Sequence, residues 1–248
     1  MQSFRQTLRT FGWSDTLTYT AAWLLRKLSL GRATLRKYYF VAQPVQHPAP
    51  ASRPPGGATR LYVADQADAV IAQSGRPGQV IADRFAQQAR CVVAEKNGEL
   101  AGFIWLCPRL YREDEVRCDY RWTPSAAAVW DFDVYVAPPF RLGRLFARLW
   151  EHAHALLSRE GVQWTLSRID AFNARSLAVH RKLGAQELAS GWFLSFGTLQ
   201  VAAFNVAPYL HLSLGGGRRP EVCLDLTSLA APQPPQSPQP VPPQQRPA

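Results

Sequence analysis

The sequence predicts an α+β fold in which a mixed, mostly antiparallel central sheet is flanked by helices. Strand-like runs between residues 59 and 123 include two that meet at Asn97-Gly98, a pair that accepts the positive φ values of a tight hairpin. From residue 128 to 206 the apolar spacing switches between periods of two and 3.6, with glycines closing the helical stretches, which gives the order βαβαββ. A composition of 47% hydrophobic and 11% aromatic residues over 248 positions is enough for one main domain with appendages and excludes disorder of the whole.

From the N-terminus, Ser14 or Asp15 is positioned to cap a helix on which Leu17, Ala21, Leu24, Leu25 and Leu28 recur at helical spacing. Arg26 and Lys27 sit in its last turn and Gly31 stops it. Its apolar stripe needs a partner. Docking on the main domain is expected; a membrane interface is the alternative, because Trp13 and Trp23 stand beside basic residues.

TLRKYYFVAQ (34–43) is rich in β-branched and aromatic residues and predicts a strand, and PVQHPAPASRPPGG (44–57), with five prolines and two glycines, reads as a linker. TRLYVAD follows as a short strand, QVIADRFAQQAR as a helix, CVVAEKN and LAGFIWLCPRLY as the hairpin, and residues 115–123 as a third antiparallel run. Residues 128–137 predict a strand, 142–160 a helix ending at Gly161, 162–169 a strand, 173–183 a helix ending at Gly184, and 187–206 two strand segments around Gly197. Residues 231–248 hold eight prolines and no apolar periodicity, so they cannot bury enough surface to offset chain entropy and are expected to be disordered. The expected organisation is a basic helix-strand extension (1–43), a linker (44–57), the main domain (58–210), a C-terminal extension (211–230) and the proline-rich tail.

The formal charge of +10 is uneven. Residues 1–60 carry Arg5, Arg9, Arg26, Lys27, Arg32, Arg36, Lys37, Arg53 and Arg60 against Asp15 alone, nine minus one or +8. Such an arm is either a solvated face or the contact for an anionic membrane surface or an acidic partner. No interleaved aromatic-basic motif points to nucleic acid, and none is expected as a partner. Cys91, Cys107, Cys118 and Cys223 form no CxxC pair and no zinc-like spacing, so free thiols and no metal are expected. With neither a signal-peptide pattern nor an apolar run of roughly 18 residues, the expectation is a cytoplasmic protein, soluble or peripheral to a membrane.

The chemistry concentrates in VWDFDVYVAPPFRLGRLF. Alternation sets Asp131, Asp133 and Tyr135 on one face of a strand, either as groups hydrogen-bonded within the sheet or as paired carboxylates that offer a general base. After Pro138-Pro139 the chain turns through Arg141-Leu142-Gly143-Arg144 into a helix, where unpaired amides, the helix dipole and two arginines suit an anion such as a pyrophosphate. Downstream, IDAFNARSLAVHRKLGA places Asn173 as a helix N-cap with Ser176 three residues on.

These two segments together resemble the GNAT superfamily of acyl-CoA-dependent N-acetyltransferases. Val134, Val136, Pro138, Phe140, Arg141, Leu145 and Leu149 match its strand-turn-helix segment, and Asn173, Ser176, Lys182, Leu183 and Gly184 its next helix; CVVAEKNGELAGFIWL is similar to its hairpin. The resemblance covers roughly residues 60–205. It implies acetyl-CoA as co-substrate, seated by Val134, Tyr135 and Val136 and by the backbone of Arg141, Leu142, Gly143, Arg144, Leu145 and Phe146, with Asn173 at a position that often contacts the cofactor. The family's second and third loop glycines correspond to Arg144 and Phe146, with Gly143 one position before Arg144, and its general-acid tyrosine to His180.

The resemblance implies direct acyl transfer from acetyl-CoA to a primary amine, on a small molecule or a protein. Asp133, then Asp131, is the expected base, with Asp170 also open; His180 is the expected donor to the departing thiolate, or else a surface histidine. The competing readings are a catalytically weak acyl-CoA-binding scaffold and a peripheral membrane protein acting through the basic arm.

Overall fold

The computed structural model describes residues 4–46 and 59–229, with side chains from Trp13 onward. In chain order its elements are α1 (Phe4–Leu28), β1 (Ala33–Pro44), β2 (Thr59–Ala64), α2 (Ala69–Ala72), α3 (Gly78–Ala86), β3 (Arg90–Lys96), β4 (Glu99–Pro108), β5 (Leu110–Arg112), β6 (Asp119–Thr123), β7 (Ala128–Val136), α4 (Leu145–Arg159), β8 (Trp164–Asp170), α5 (Ala174–Lys182), β9 (Gln186–Phe196), β10 (Leu199–Phe204), β11 (Leu210–Leu214) and β12 (Glu221–Asp225). Nine strands form one mixed, mostly antiparallel sheet in the order β11-β10-β9-β1-β8-β7-β4-β3-β2, and β12-β6-β5 form a second. This is the α+β architecture that the sequence predicts.

Local chemistry accounts for most of these elements. Asn97 and Gly98 both take positive φ, 54° and 82°, and close the β3–β4 hairpin. Leu145, Leu149, Ala153 and Leu157, four residues apart, form the buried stripe of α4 and pack with Val92, Ile104 and Leu106 of the sheet. The opposite face carries the larger core, in which Tyr120 stacks on Trp130 with centroids 4.7 Å apart and only 4° between the rings. That stack seats the small sheet on the large one.

β1 lies in mid-sheet, between β9 and β8, and binds both through long antiparallel ladders. Val45 carries the chain onward by donating its N–H to the Gln163 carbonyl at 2.8 Å. The linker expected over 44–57 lies outside the described residues from His47 on, and so does the tail expected over 231–248.

Three expectations are corrected. Ser14 and Asp15 do not start the first helix, which begins ten residues earlier; Asp15 instead points inward, its carboxylate accepting from Lys37 Nζ at 2.5 Å and from the Tyr39 hydroxyl at 2.8 Å. Because α1 docks through this polar contact, its apolar stripe is turned outward: Leu17, Leu24 and Leu28 are exposed, Leu28 by 82%. The run at 115–123 does not extend the main meander. β6 pairs antiparallel with β5 and parallel with β12, whose position the Arg219 guanidinium fixes by bonding Asp119 Oδ1 and the carbonyls of Glu113 and Cys118.

Candidate functional site

β7 and β8 run parallel and are paired only at Ala128–Trp164, Val129–Thr165 and Trp130–Leu166; beyond Trp130 they part. On its other edge β7 stays bonded to β4, so the gap is a slot between β7 and β8 lined by main-chain groups. Gly102 allows the close approach on that bonded side, since a Cβ there would meet the Tyr135 carbonyl oxygen at 2.7 Å and Leu149 Cδ1 at 3.1 Å.

The alternation read from the sequence breaks in the middle of β7. Trp105 pairs with Phe132 and Phe103 with Tyr135, one residue between them on β4 and two on β7, so Asp133 and Val134 form a bulge, with Asp133 at φ 47°. The bulge splits the expected triad. Asp131 pairs across from Leu106, on the α4 side, while Tyr135 stacks on Phe103 on the opposite side.

The two carboxylates consequently differ. Asp133 is held by three charge-assisted bonds, two from Arg76 (2.9 and 2.5 Å) and one from Arg84 (2.6 Å), and Arg84 also reaches Asp114 at 3.0 Å. Asp131 is 5% exposed, and its Oδ2 has no hydrogen-bond partner among the described residues. Burial pushes its carboxyl up to about 7, against the pull of the Thr165 and Ser167 hydroxyls on β8. Asp170 is raised more modestly, again by burial, although its carboxylate accepts the Phe172 N–H.

Trp130, Phe132 and Asp133 line the floor of a cleft of about 560 Å³ on the side opposite α4; Asp131 borders it from the strand while its side chain lies on the α4 side, and the rim is charged: Arg76, Arg84 and Arg168 face Asp114 and Glu115. Arg168 is ion-paired with the fully buried Glu113 carboxylate and lies 3.1 Å from Glu115, which also accepts from Arg36 at 2.6 Å. Burial works to lower the Arg168 guanidinium, and the Glu113 carboxylate beside it more than offsets this and holds it protonated. None of these rim groups was singled out in the sequence. Arg84 carried a signal, for it lies on the same helical stripe as Val80 and Ile81, where a charge has to find a partner.

The turn after β7 keeps its donors free. A short 3₁₀ turn over Pro138–Phe140 leads into α4, and the N–H groups of Leu142, Arg144, Leu145, Phe146 and Ala147 have no partner among the described residues, whereas Gly143 N–H donates to the Phe140 carbonyl. Four consecutive unpaired amides therefore stand at the positive end of a fifteen-residue helix. The Leu145 side chain is buried beneath them and the Phe146 ring packs edge-on to Trp150. Arg141 folds back to donate from Nε to the Val136 carbonyl at 3.0 Å, and the exposed Arg144 reaches only as far as Glu151, at 3.7 Å. Val134, Tyr135 and Val136 are half-buried along the slot.

On α5, Asn173 is the N-cap, its Oδ1 accepting the Ser176 N–H at 3.0 Å. His180 is not among the residues that line the cleft. It sits in a small pocket with Tyr39 and Val41 of β1, Ile169 of β8 and Glu187 of β9, where burial lowers its imidazolium and its Nδ1 has no partner among the described residues. Such a ring is neutral near pH 7 and a poor proton donor, and no β7 residue borders its pocket. Among the described residues no three His, Cys, Asp or Glu side chains gather at metal-binding distance.

A family model described as Acetyltransferase (GNAT) family matches residues 59–185, or 127 of the 248 positions. No curated protein sequence matches the chain. Among solved structures it is similar to a protein from Novosphingobium aromaticivorans assigned to the GNAT family (14% identity, covering 65% of this chain and 63% of that one, TM-score 0.42), so it spans less than two thirds of that protein. It is also similar to a GNAT family acetyltransferase from Elizabethkingia anophelis with acetyl-CoA bound (10% identity, 50% and 74% coverage, TM-score 0.37) and to a ribosomal-protein-alanine N-acetyltransferase from Brucella melitensis (15% identity, 50% and 89% coverage, TM-score 0.35).

Proposed function

The chain belongs to the GNAT acetyltransferase family, and from that premise we propose that it transfers an acetyl group from acetyl-CoA to a primary amine by direct attack. The observation that carries the reading is the slot between β7 and β8 standing above four consecutive unpartnered amides, Arg144 to Ala147. A diphosphate is the natural occupant of such a helix terminus, with the Arg144 guanidinium in reach of added charge. The free edge of β7 from Val134 to Val136 offers main-chain donors and acceptors to an amide-bearing arm. The residues present fit acetyl-CoA, which when bound supplies an activated thioester.

The proton chemistry falls to Asp131. A carboxyl that titrates near 7 is matched to taking a proton from an acceptor ammonium, directly or through one water. Asp133, expected from the sequence as the first candidate, is better understood as a fixed anion that organises Arg76 and Arg84. The bulge leaves Asp133 and Val134 without register partners on β4, and in this reading a main-chain N–H of β7 beside the slot holds the thioester carbonyl oxygen. His180 moves no proton in this reading, because its pocket is lined by residues of β1, β8, α5 and β9 and by none of β7.

The test is calorimetric titration of acetyl-CoA followed by thiol release over a panel of amines. Failure to bind either acetyl-CoA or free coenzyme A removes the reading. Binding without release by any amine favours a non-catalytic acyl-CoA-binding protein, a version consistent with Arg144 and Phe146 standing where the family has glycines.

A further inference from the structure

We propose that α1 and the open face of β9, β10 and β11 form a single surface that docks on an anionic lipid bilayer. The inference is independent of the acyltransferase reading. Both elements lie on one side of the sheet. Lys37 bonds Asp15 of α1 and sits 4.7 Å over the Trp192 ring, its partner across the β1–β9 ladder. Leu194 and Phe196 follow Trp192 at two-residue spacing, and the β9–β10–β11 registers (Val201 opposite both Leu194 and Leu212, Leu199 opposite both Phe196 and Leu214) put the β11 leucines on the same face.

This side is apolar and open. Trp13, Leu17, Leu24 and Leu28 project from α1 within one stripe, and Leu210, Leu212 and Leu214 are each at least 60% exposed. Isolated exposed leucines are ordinary, whereas a helix stripe and a three-strand face exposed on one side of a sheet mark a contact surface.

Charge decides what covers it. Residues 16–36 and 188–220 contain no Asp or Glu, and they carry Arg26, Lys27, Arg32, Arg36, Arg218 and Arg219. Of these, Arg26, Lys27, Arg32 and Arg218 are exposed with no ion-pair partner among the described residues. A second copy would set like charges against one another. Residues 47–58 and 230–248 contain no acidic residue either, so neither segment of the chain offers complementary charge. Tryptophan and leucine beside unpaired arginine and lysine are the chemistry of a helix and sheet face lying in the headgroup region of an anionic leaflet. No helix among the described residues is long and apolar enough to cross a membrane, so the contact is a surface one.

The experiment is co-sedimentation of the full chain with phosphatidylcholine vesicles and with vesicles carrying about 30% phosphatidylglycerol, at low and high salt. The proposal expects partition into the anionic vesicles at least about tenfold above the neutral ones, lost in high salt. Leu17→Ser with Leu24→Ser, and separately Leu212→Ser with Leu214→Ser, should each reduce it about tenfold, with circular dichroism and the acetyl-CoA titration unchanged. Arg26→Gln with Lys27→Gln should weaken it while leaving the apolar face intact. Equal partition into both vesicle types, or none, overturns the proposal. So does wild-type binding by the Leu212/Leu214 variant, which would leave β11 outside the surface, and so does a dimer in solution that the same variant splits, which would make a second copy the occupant.

Discussion

Arg84 Nη1 lies 2.6 Å from Asp133 Oδ2, and the same guanidinium stands over the rings of Trp105 and Phe132, 5.3 and 5.1 Å from their centroids. One cation thus closes the bulge of β7, the end of α3 and the aromatic floor of the cleft. Both side chains are largely shielded from water, and removing one leaves the other with a single, more exposed counter-ion, Arg76 for Asp133 or Asp114 for Arg84. Arg84→Ala should destabilise the fold by about 2 kcal/mol through the lost charge-assisted bonds, and Asp133→Ala by a similar amount. Equilibrium urea unfolding of the double variant should give a loss smaller than the sum.

Asp131 predicts a pH dependence with a definite sign. Its folded value of about 7 lies above the unfolded one, so the native state binds the proton more tightly than the denatured chain does. The contribution is most favourable below about pH 4 and declines as pH rises toward 7, a change on the order of 4 kcal/mol if the full difference is expressed. Asp131→Asn should flatten that segment of the stability profile and be the more stable protein at pH 8, as read by urea midpoints across pH.

The same residue governs turnover under the proposed mechanism. As a base, Asp131 works deprotonated, so kcat/KM for an amine should rise with pH through an inflection near 7. Asp131→Asn should lower it by about a hundredfold or more and remove the inflection. His180→Ala should change it by less than about tenfold, with acetyl-CoA affinity retained. A hundredfold loss in the His180 variant would restore the acid role expected from its place in the sequence.

The amide row at α4 can be probed one donor at a time. Arg144 has φ −84° and follows a glycine, so Arg144→Pro fits the backbone and deletes a single unpartnered N–H; Arg144→Ala removes the charge but keeps the N–H. Calorimetry with acetyl-CoA should show the proline variant binding about tenfold more weakly than the alanine variant, with thermal stability nearly equal. Equal affinities would mean that the amide does not touch the ligand.

Gly102→Ala tests the slot from its bonded side. The added methyl would meet the Tyr135 carbonyl at 2.7 Å, and backbone cannot yield as a flexible side-chain tip does. The substitution should cost about 1–3 kcal/mol in urea unfolding and weaken acetyl-CoA binding along with it, because displacing β7 from β4 alters the width of the gap to β8.

The amino-acid order alone determined whatever depends on neighbours a few residues away. Asn97-Gly98 closes its hairpin because two adjacent residues tolerate positive φ, and α4 buries Leu145, Leu149, Ala153 and Leu157 because four-residue spacing aligns them on any helix. The strand-turn-helix segment and its family resemblance were legible for the same reason: a free helix terminus is a local property of the backbone. Contacts between distant segments decided the rest. The bulge that parts Asp131 from Tyr135 exists because β7 carries one more residue than β4 opposes, and no periodicity within β7 reveals that count. The outward turn of the α1 stripe follows from Asp15 meeting Lys37 and Tyr39 across more than twenty residues, where a buried charge that needs a partner outweighs the pull of leucines toward the core.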